Sequence, residues 1–246
     1  MGKEQVELLD VGNSKKNGQI ITGYSIYSKA VAERTKQNTL SEIYPALPKE
    51  TFDIIYADPP WHYGGKLQFD KSSKSKEELD LSKKIFISSA SFKYPTLKTS
   101  ELKELPVKKI AKDNCVLFMW ATNPHLDQAI DLGKSWGFDY KTVAFVWNKM
   151  VHNPGQYTLS YCELCLLFKR GKIPSPRGAR NMKQLVEEPR GEHSEKPDEV
   201  LKRIEKMFPT QKRIELFARR RAQGWSNWGL DLIMNHGDDE LKKKTL

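Results

Sequence analysis

The chain has 246 residues, 38% of them hydrophobic and 29% charged, with six Trp and nine Tyr; this is ample for a buried core in one large or two small domains and too apolar for a disordered chain. No apolar run approaches the roughly 20 residues of a membrane-spanning helix, Met1–Gln5 lacks the apolar core of a signal peptide, and Cys115, Cys162 and Cys165 make no disulfide framework, so a cytoplasmic protein is expected. Lys and Arg outnumber Asp and Glu by 41 to 31, a net charge of +10, which suits a polyanionic partner but is also met in basic enzymes without one.

Residues 1–50 are polar and weakly patterned, with a short helix expected around Ile26–Gln37. They read as an N-terminal extension packed on or near the domain that follows. Phe52–Ala57 is an apolar run expected to be a buried strand. Gly64–Lys84, rich in Lys, Ser, Glu and Asp, reads as a mobile loop or insertion. Leu97–Ala111 has helical spacing, which Pro106 must interrupt. Cys115–Trp120 is the next strand, and Pro124–Trp136 the next helix, opened by its proline and closed before Gly137. Thr142–Trp147 and Glu163–Phe168 are strands, separated by a second insertion at 171–184 from the helix Pro197–Phe208. Arg213–Ala218 is a last buried strand, and 232–246 a polar tail. Strands alternating with helices predict an α/β fold, a mostly parallel sheet with helices on both faces. Without an internal repeat or clear linker, 51–231 reads as one domain.

Asp58-Pro59-Pro60-Trp61 directly follows the first strand, and ligands of open α/β sheets bind just outside the carboxyl ends of strands. These residue types suit a flat, weakly nucleophilic amine such as the N6 of adenine, whose lone pair is delocalised into the ring. The Asp58 carboxylate and the Pro59 carbonyl can each accept one N–H, which favours a pyramidal nitrogen with its lone pair aimed at an incoming methyl group. Two prolines restrict the turn, so these acceptors are placed at little ordering cost. Trp61 offers an aromatic face for an extruded base, worth roughly 1–3 kcal/mol on other base platforms.

On these residues the chain resembles the MT-A70 adenine-N6 methyltransferases, particularly bacterial and phage members. The resemblance continues in order through Tyr94-Pro95-Thr96, Val116–His125, Lys141–Trp147, Glu163–Leu167, His193–Glu199, Glu215–Arg219 and Gly224-Trp225. It implies a Rossmann-like class I methyltransferase fold, S-adenosylmethionine as methyl donor, and a catalytic block that precedes the cofactor block. That order accounts for the lack of a G-x-G-x-x-G motif. The resemblance further implies Asp58, Pro59, Pro60 and Trp61 as the catalytic set. Lys196 would reach the methionine carboxylate, and Glu215 and Arg219 would lie near the ribose. Tyr94 and Glu163 would lie at the substrate, and Trp120 and Trp147 are expected to pack in the core. Where many members carry an Asn after Trp-Gly, this chain has Leu230-Asp231, so either Asn227 substitutes at the adenosine or the register slips by a residue or more.

The implied activity is methyl transfer to adenine N6 in DNA, with the base flipped into a site formed by the tetrapeptide; an RNA target, or a nucleic-acid-binding member with weak catalysis, is the alternative. Cys162-Glu163-Leu164-Cys165 has no second pair to complete a zinc site, and the five His show no ligand spacing, so no metal is assigned. Gly64–Lys84, Val151–Ser160 and Gly171–Gln184 are the segments available to read flanking bases. Monomer and homodimer both remain open.

Overall fold

The computed structural model describes residues 44–62, 96–153, 157–191 and 195–230, together with two short antiparallel strand pairs, Ser14–Lys16 with Gln19–Ile21 and Gln68–Phe69 with Ile85–Phe86. The expected helix at Ile26–Gln37, Tyr94, the tail at 232–246 and most of the 64–84 insertion lie outside the described residues. The chain divides into one unit of residues 1–38 and 62–96 and a larger one of 39–61 and 97–246. The larger unit carries the sheet.

Its seven strands are β1 (Phe52–Ala57), β2 (Ala111–Ala121), β3 (Asp139–Asn153), β4 (Ser160–Arg170), β5 (Leu185–Glu187), β6 (Arg213–Leu216) and β7 (Ser226–Trp228). They lie in the order β7-β6-β1-β2-β4-β3-β5. Four of the six pairings are parallel; β4 runs antiparallel to both β2 and β3. The polarity that follows decides where everything else sits. β1, β2 and β6 all end at one edge of the sheet, with Ala57 level with Met119 and Leu216. β4 starts at that edge, where Leu164 pairs with Ala121, and finishes at the opposite one, where Arg170 pairs with Cys115.

Among the described residues, three α-helices accompany the sheet: α1 (Thr99–Glu104), α2 (Leu126–Ser135) and α3 (Asp198–Met207). Successive strand residues point to opposite faces. Ile54, Tyr56, Val116, Phe118 and Trp120 therefore share one face, where they bury Val200 and Ile204 of α3 and Phe208 just beyond it. Phe118 sits between Phe145 and Phe208 at ring-centroid distances of 6.1 and 6.3 Å; truncating such a ring to Ala costs about 3–5 kcal/mol. On the other face α2 rests on Phe168. A Cβ at Gly133 would come within 2.3 Å of that ring, so the helix approaches this closely because the position is glycine.

The interruptions fall where the sequence places them. Pro106 separates α1 from a 3-10 turn at Val107–Lys109, and α2 stops before Gly137, whose φ of +88° closes the turn. The expected Pro124–Trp136 helix is divided into a 3-10 turn, Asn123–His125, and α2 proper. The last predicted strand ends at Leu216 because Phe217 turns with φ of 62°. Among the described residues, no helix is long and apolar enough to cross a membrane.

Candidate active site

The chain leaves β1 at Ala57 and turns sharply over the next four residues. The Asp58 amide still donates to Leu216 O of β6, at 3.4 Å. Pro59 and Pro60 have no N–H to extend the ladder. Trp61 N donates back to Pro59 O, and Leu97 N donates to Pro60 O, both at 2.9 Å. The turn is thus held by its own carbonyls and by a bridge between Trp61 and Leu97.

Trp61 is anchored rather than presented. It is 4% exposed, its indole N–H donates to Trp120 O at 3.2 Å, and one face stacks on His125 at 5.6 Å and 19°. His125 is itself buried and shares a 2.9 Å hydrogen bond with Thr122 Oγ1. The open stacking face expected from the sequence is not what this conformation offers, because the 3-10 turn brings an imidazole against the indole.

Asp58 heads a chain of four alternating charges. Lys196 Nζ lies 2.9 Å from Asp58 Oδ2 and 3.3 Å from Glu163 Oε2, while Lys149 Nζ lies 3.2 Å from Glu163 Oε1. Asp58, Lys196 and Glu163 are 16%, 12% and 14% exposed in their side chains and Lys149 is 2% exposed, so these charges persist because each faces an opposite one. For Lys196, burial works against the proton, but Asp58 and Glu163 outweigh it and raise the ammonium above its ordinary range. For Glu163, burial alone would raise the carboxyl; Lys196 and Lys149 overcome that and hold it below its usual value. The Lys196 ammonium also lies 5.6 Å from the centre of the Trp120 ring.

Each member arrives from a different element. Lys196 sits two residues ahead of α3, and Glu163 lies on β4 opposite Trp147 of β3. Lys149 is aimed inward by an irregularity in β3, whose pairing slips between Asn148 and Asn153 while β4 advances from Cys162 to Ser160. Met150, with φ of 58°, forms the kink, and its amide is held by Asn148 Oδ1 at 3.0 Å. Bulges of this kind re-aim side chains beside active sites.

Glu215 of β6 pairs with Tyr56 on one side and Asn227 on the other. Burial first, then the nearby Asp58 charge, pushes its carboxyl up to about 7. Arg219, just past the end of β6, is near enough to oppose the charge on Lys196. Asn227 braces the β6–β7 loop: its Oδ1 accepts from Ala222 N at 3.3 Å and its Nδ2 donates to Trp225 O at 2.8 Å. Trp120 and Trp147 are core residues, both 1% exposed; their N–H groups donate to Tyr56 OH at 2.6 Å and Glu188 O at 2.7 Å.

Asp58, Lys196 and Glu163, far apart in the chain, thus meet directly, with Glu215 and Arg219 beside them. Tyr94 lies outside the described residues. Lys149 and His125 were missed from the sequence. A lysine closing the apolar run Val143–Trp147 was the available signal for Lys149; nothing local marked His125.

The chain matches the MT-A70 family over residues 52–231. It is 58% identical over 215 residues to the Type II methyltransferase M.MunI of Mycoplasma sp, covering 87% of this chain and 92% of that protein. It is 28% identical over 205 residues to the N(6)-adenine-specific methyltransferase METTL4 of Mus musculus, and 27% identical over 204 residues to an N(6)-adenosine-methyltransferase MT-A70-like protein of Arabidopsis thaliana. Those alignments span 38% and 25% of the two longer proteins.

Proposed function

This chain belongs to the MT-A70 family and is a methyltransferase, and we propose that it methylates the exocyclic N6 of adenine in DNA, using S-adenosylmethionine. The observation that carries this reading is the Asp58 carboxylate at the carboxyl end of β1, held 2.9 Å from Lys196 beside the rigid Pro59 carbonyl.

The residues present fit such a cofactor by their chemistry. S-adenosylmethionine has a carboxylate, an ammonium and a ribose diol, and the strand ends offer the Lys196 ammonium, the Asp58 and Glu215 carboxylates and Arg219. Lys196 would take the carboxylate, with backbone N–H groups at the start of α3 favouring the same charge. Glu215 and Arg219 would serve the ribose, and Asn227 would shape the loop that borders it. When bound, S-adenosylmethionine supplies an electrophilic methyl group.

The work of the chain itself is placement. Asp58 Oδ and Pro59 O each accept one N6 hydrogen, which localises the lone pair on nitrogen and directs it outward. Because the turn is fixed by two prolines, the Trp61 indole and the Leu97 amide, these acceptors need no reorganisation when the base arrives. The alkylated amine is acidic enough to lose its extra proton without a dedicated base. Glu163, kept ionised by two lysines, gives the amine a second negative charge as it becomes positive. In a duplex the base must leave the stack to reach Asp58. DNA is favoured over RNA because the chain covers 92% of a compact Type II methyltransferase, whereas the adenosine-named relative is several times longer.

Labelled cofactor is to be incubated with the protein and with duplex DNA, single-stranded DNA or RNA, followed by nucleoside analysis. N6-methyladenine in DNA is the expected product. Label in RNA alone would reassign the polymer, and label in none would refute the reading.

A further inference from the structure

The β3–β4 ribbon carries five of the seven exposed large hydrophobic residues among those described: Met150, Val151, Tyr157, Leu159 and Tyr161, between 44% and 95% exposed. Its position is as unusual as its surface. The last β4 residue paired to β2 is Leu164, opposite Ala121. Ahead of it, from Ser160 to Glu163, β4 pairs with β3 alone, through Asn153, Asn148 and Trp147. The ribbon therefore projects past the sheet at the edge where β1 leads into Asp58, and its root holds Lys149 and Glu163.

Residues 150–161 contain no Asp, Glu, Lys or Arg, in a chain of net charge +10. A phosphate-binding element would carry cations. This one offers aromatic, aliphatic, amide and hydroxyl groups, which suit base edges and unstacked bases; ribbons enter DNA grooves, and apolar side chains wedge between base steps. An apolar patch more often marks a protein interface, but a protein seated here would cover the approach to the carboxylates that the base must reach.

We propose that this ribbon enters duplex DNA beside the target adenine and that Tyr157 and Leu159 occupy the space the flipped base leaves. Resting on the proposed action on DNA, the inference names the segment that opens the duplex. Both side chains are exposed, so replacing them leaves the core intact.

The test compares wild type with the Tyr157→Ser/Leu159→Ser double variant on a duplex that the wild type methylates and on the same duplex with an abasic site opposite the target adenine. An unpaired base removes much of the extrusion cost, so the variant should fall at least about tenfold in rate on the paired duplex and recover to within about twofold of wild type on the abasic one. No loss on the paired duplex overturns the proposal, as does an equal loss on both. A wild-type dimer in sedimentation that the double variant converts to monomer also overturns it, by assigning the patch to self-association. If the wild type methylates no duplex at all, the DNA reading itself falls, and the ribbon's role with it.

Discussion

Lys149 and Glu163 face each other at the root of the β3–β4 ribbon, Nζ to Oε1 at 3.2 Å, with the lysine side chain 2% exposed. Glu163 is shared with Lys196, which also holds Asp58. A buried charge stripped of its partner typically costs about 3–5 kcal/mol, whereas removing both charges is often nearly neutral. Lys149→Met should therefore destabilise the fold by about 3 kcal/mol in urea unfolding, and adding Glu163→Gln should recover much of the loss. If the double variant is as unstable as the sum of its parts, the two charges do not act as a pair.

Asp58 accepts from Lys196 but holds up no strand by its side chain, and its amide hydrogen bond to Leu216 O survives substitution. Asp58→Ala should abolish methyl transfer, leave DNA affinity within about threefold of wild type, and cost less stability than the Lys149 variant, because Lys196 retains Glu163. Turnover and a fluorescence-anisotropy titration separate the two effects. Loss of DNA binding in parallel with turnover would make Asp58 a structural residue.

Glu215 provides a pH dependence of known sign. Its folded carboxyl is pushed up to about 7 from an ordinary 4.5, first by burial and then by Asp58. Between those values the folded protein binds more protons than the unfolded chain, so stability falls as pH rises from 4.5 through about 7. Glu215→Gln should flatten that profile and be the more stable protein at pH 8 by about 1–3 kcal/mol. Affinity for S-adenosylmethionine should move the other way, rising through pH 7 in the wild type because ionised Glu215 is the better acceptor for ribose hydroxyls. Asp58→Ala should shift that midpoint downward. Calorimetry across the pH range tests each shift.

What the sequence made legible follows from how local each signal is. Phe52–Ala57, Cys115–Trp120 and Pro197–Phe208 declare themselves by apolar runs, spacing and proline. β5 and β7 have three residues each and are strands because a neighbour's edge is free to pair with them, information absent from any short window. At the site, Asp58 and Lys196 were readable from the blocks around them. The inward turn of Lys149 was not, since it depends on a β3 irregularity that has no meaning until β4 is alongside. Trp61 shows the same limit: its identity pointed to stacking, but its partner became visible only when the turn after β2 placed His125 against it.

Charge placement makes the last prediction. Lys169–Lys183 carries six basic residues and no acid, yet from Gly171 onward it follows the end of β4 at the edge opposite Asp58. Part of it is already occupied: Arg170 bonds Lys108 O, Ala111 O and Asp113, and Arg177 lies over the Phe208 ring at 4.8 Å. The backbone at Gly178 and Ala179 is tied to the carbonyls of Met207 and Lys206 at the far end of α3. Arg219–Arg221 follow β6 at the catalytic edge, where Arg220 pairs with Asp198 and Glu195. DNA binding should weaken steeply with salt, and each lost phosphate contact should lower the slope of log affinity against log salt by about 1. Arg221→Gln should lower it by that amount, while Lys172→Gln and Arg180→Gln together should leave it unchanged. The reverse pattern would place the duplex on the opposite edge of the sheet, out of reach of Asp58.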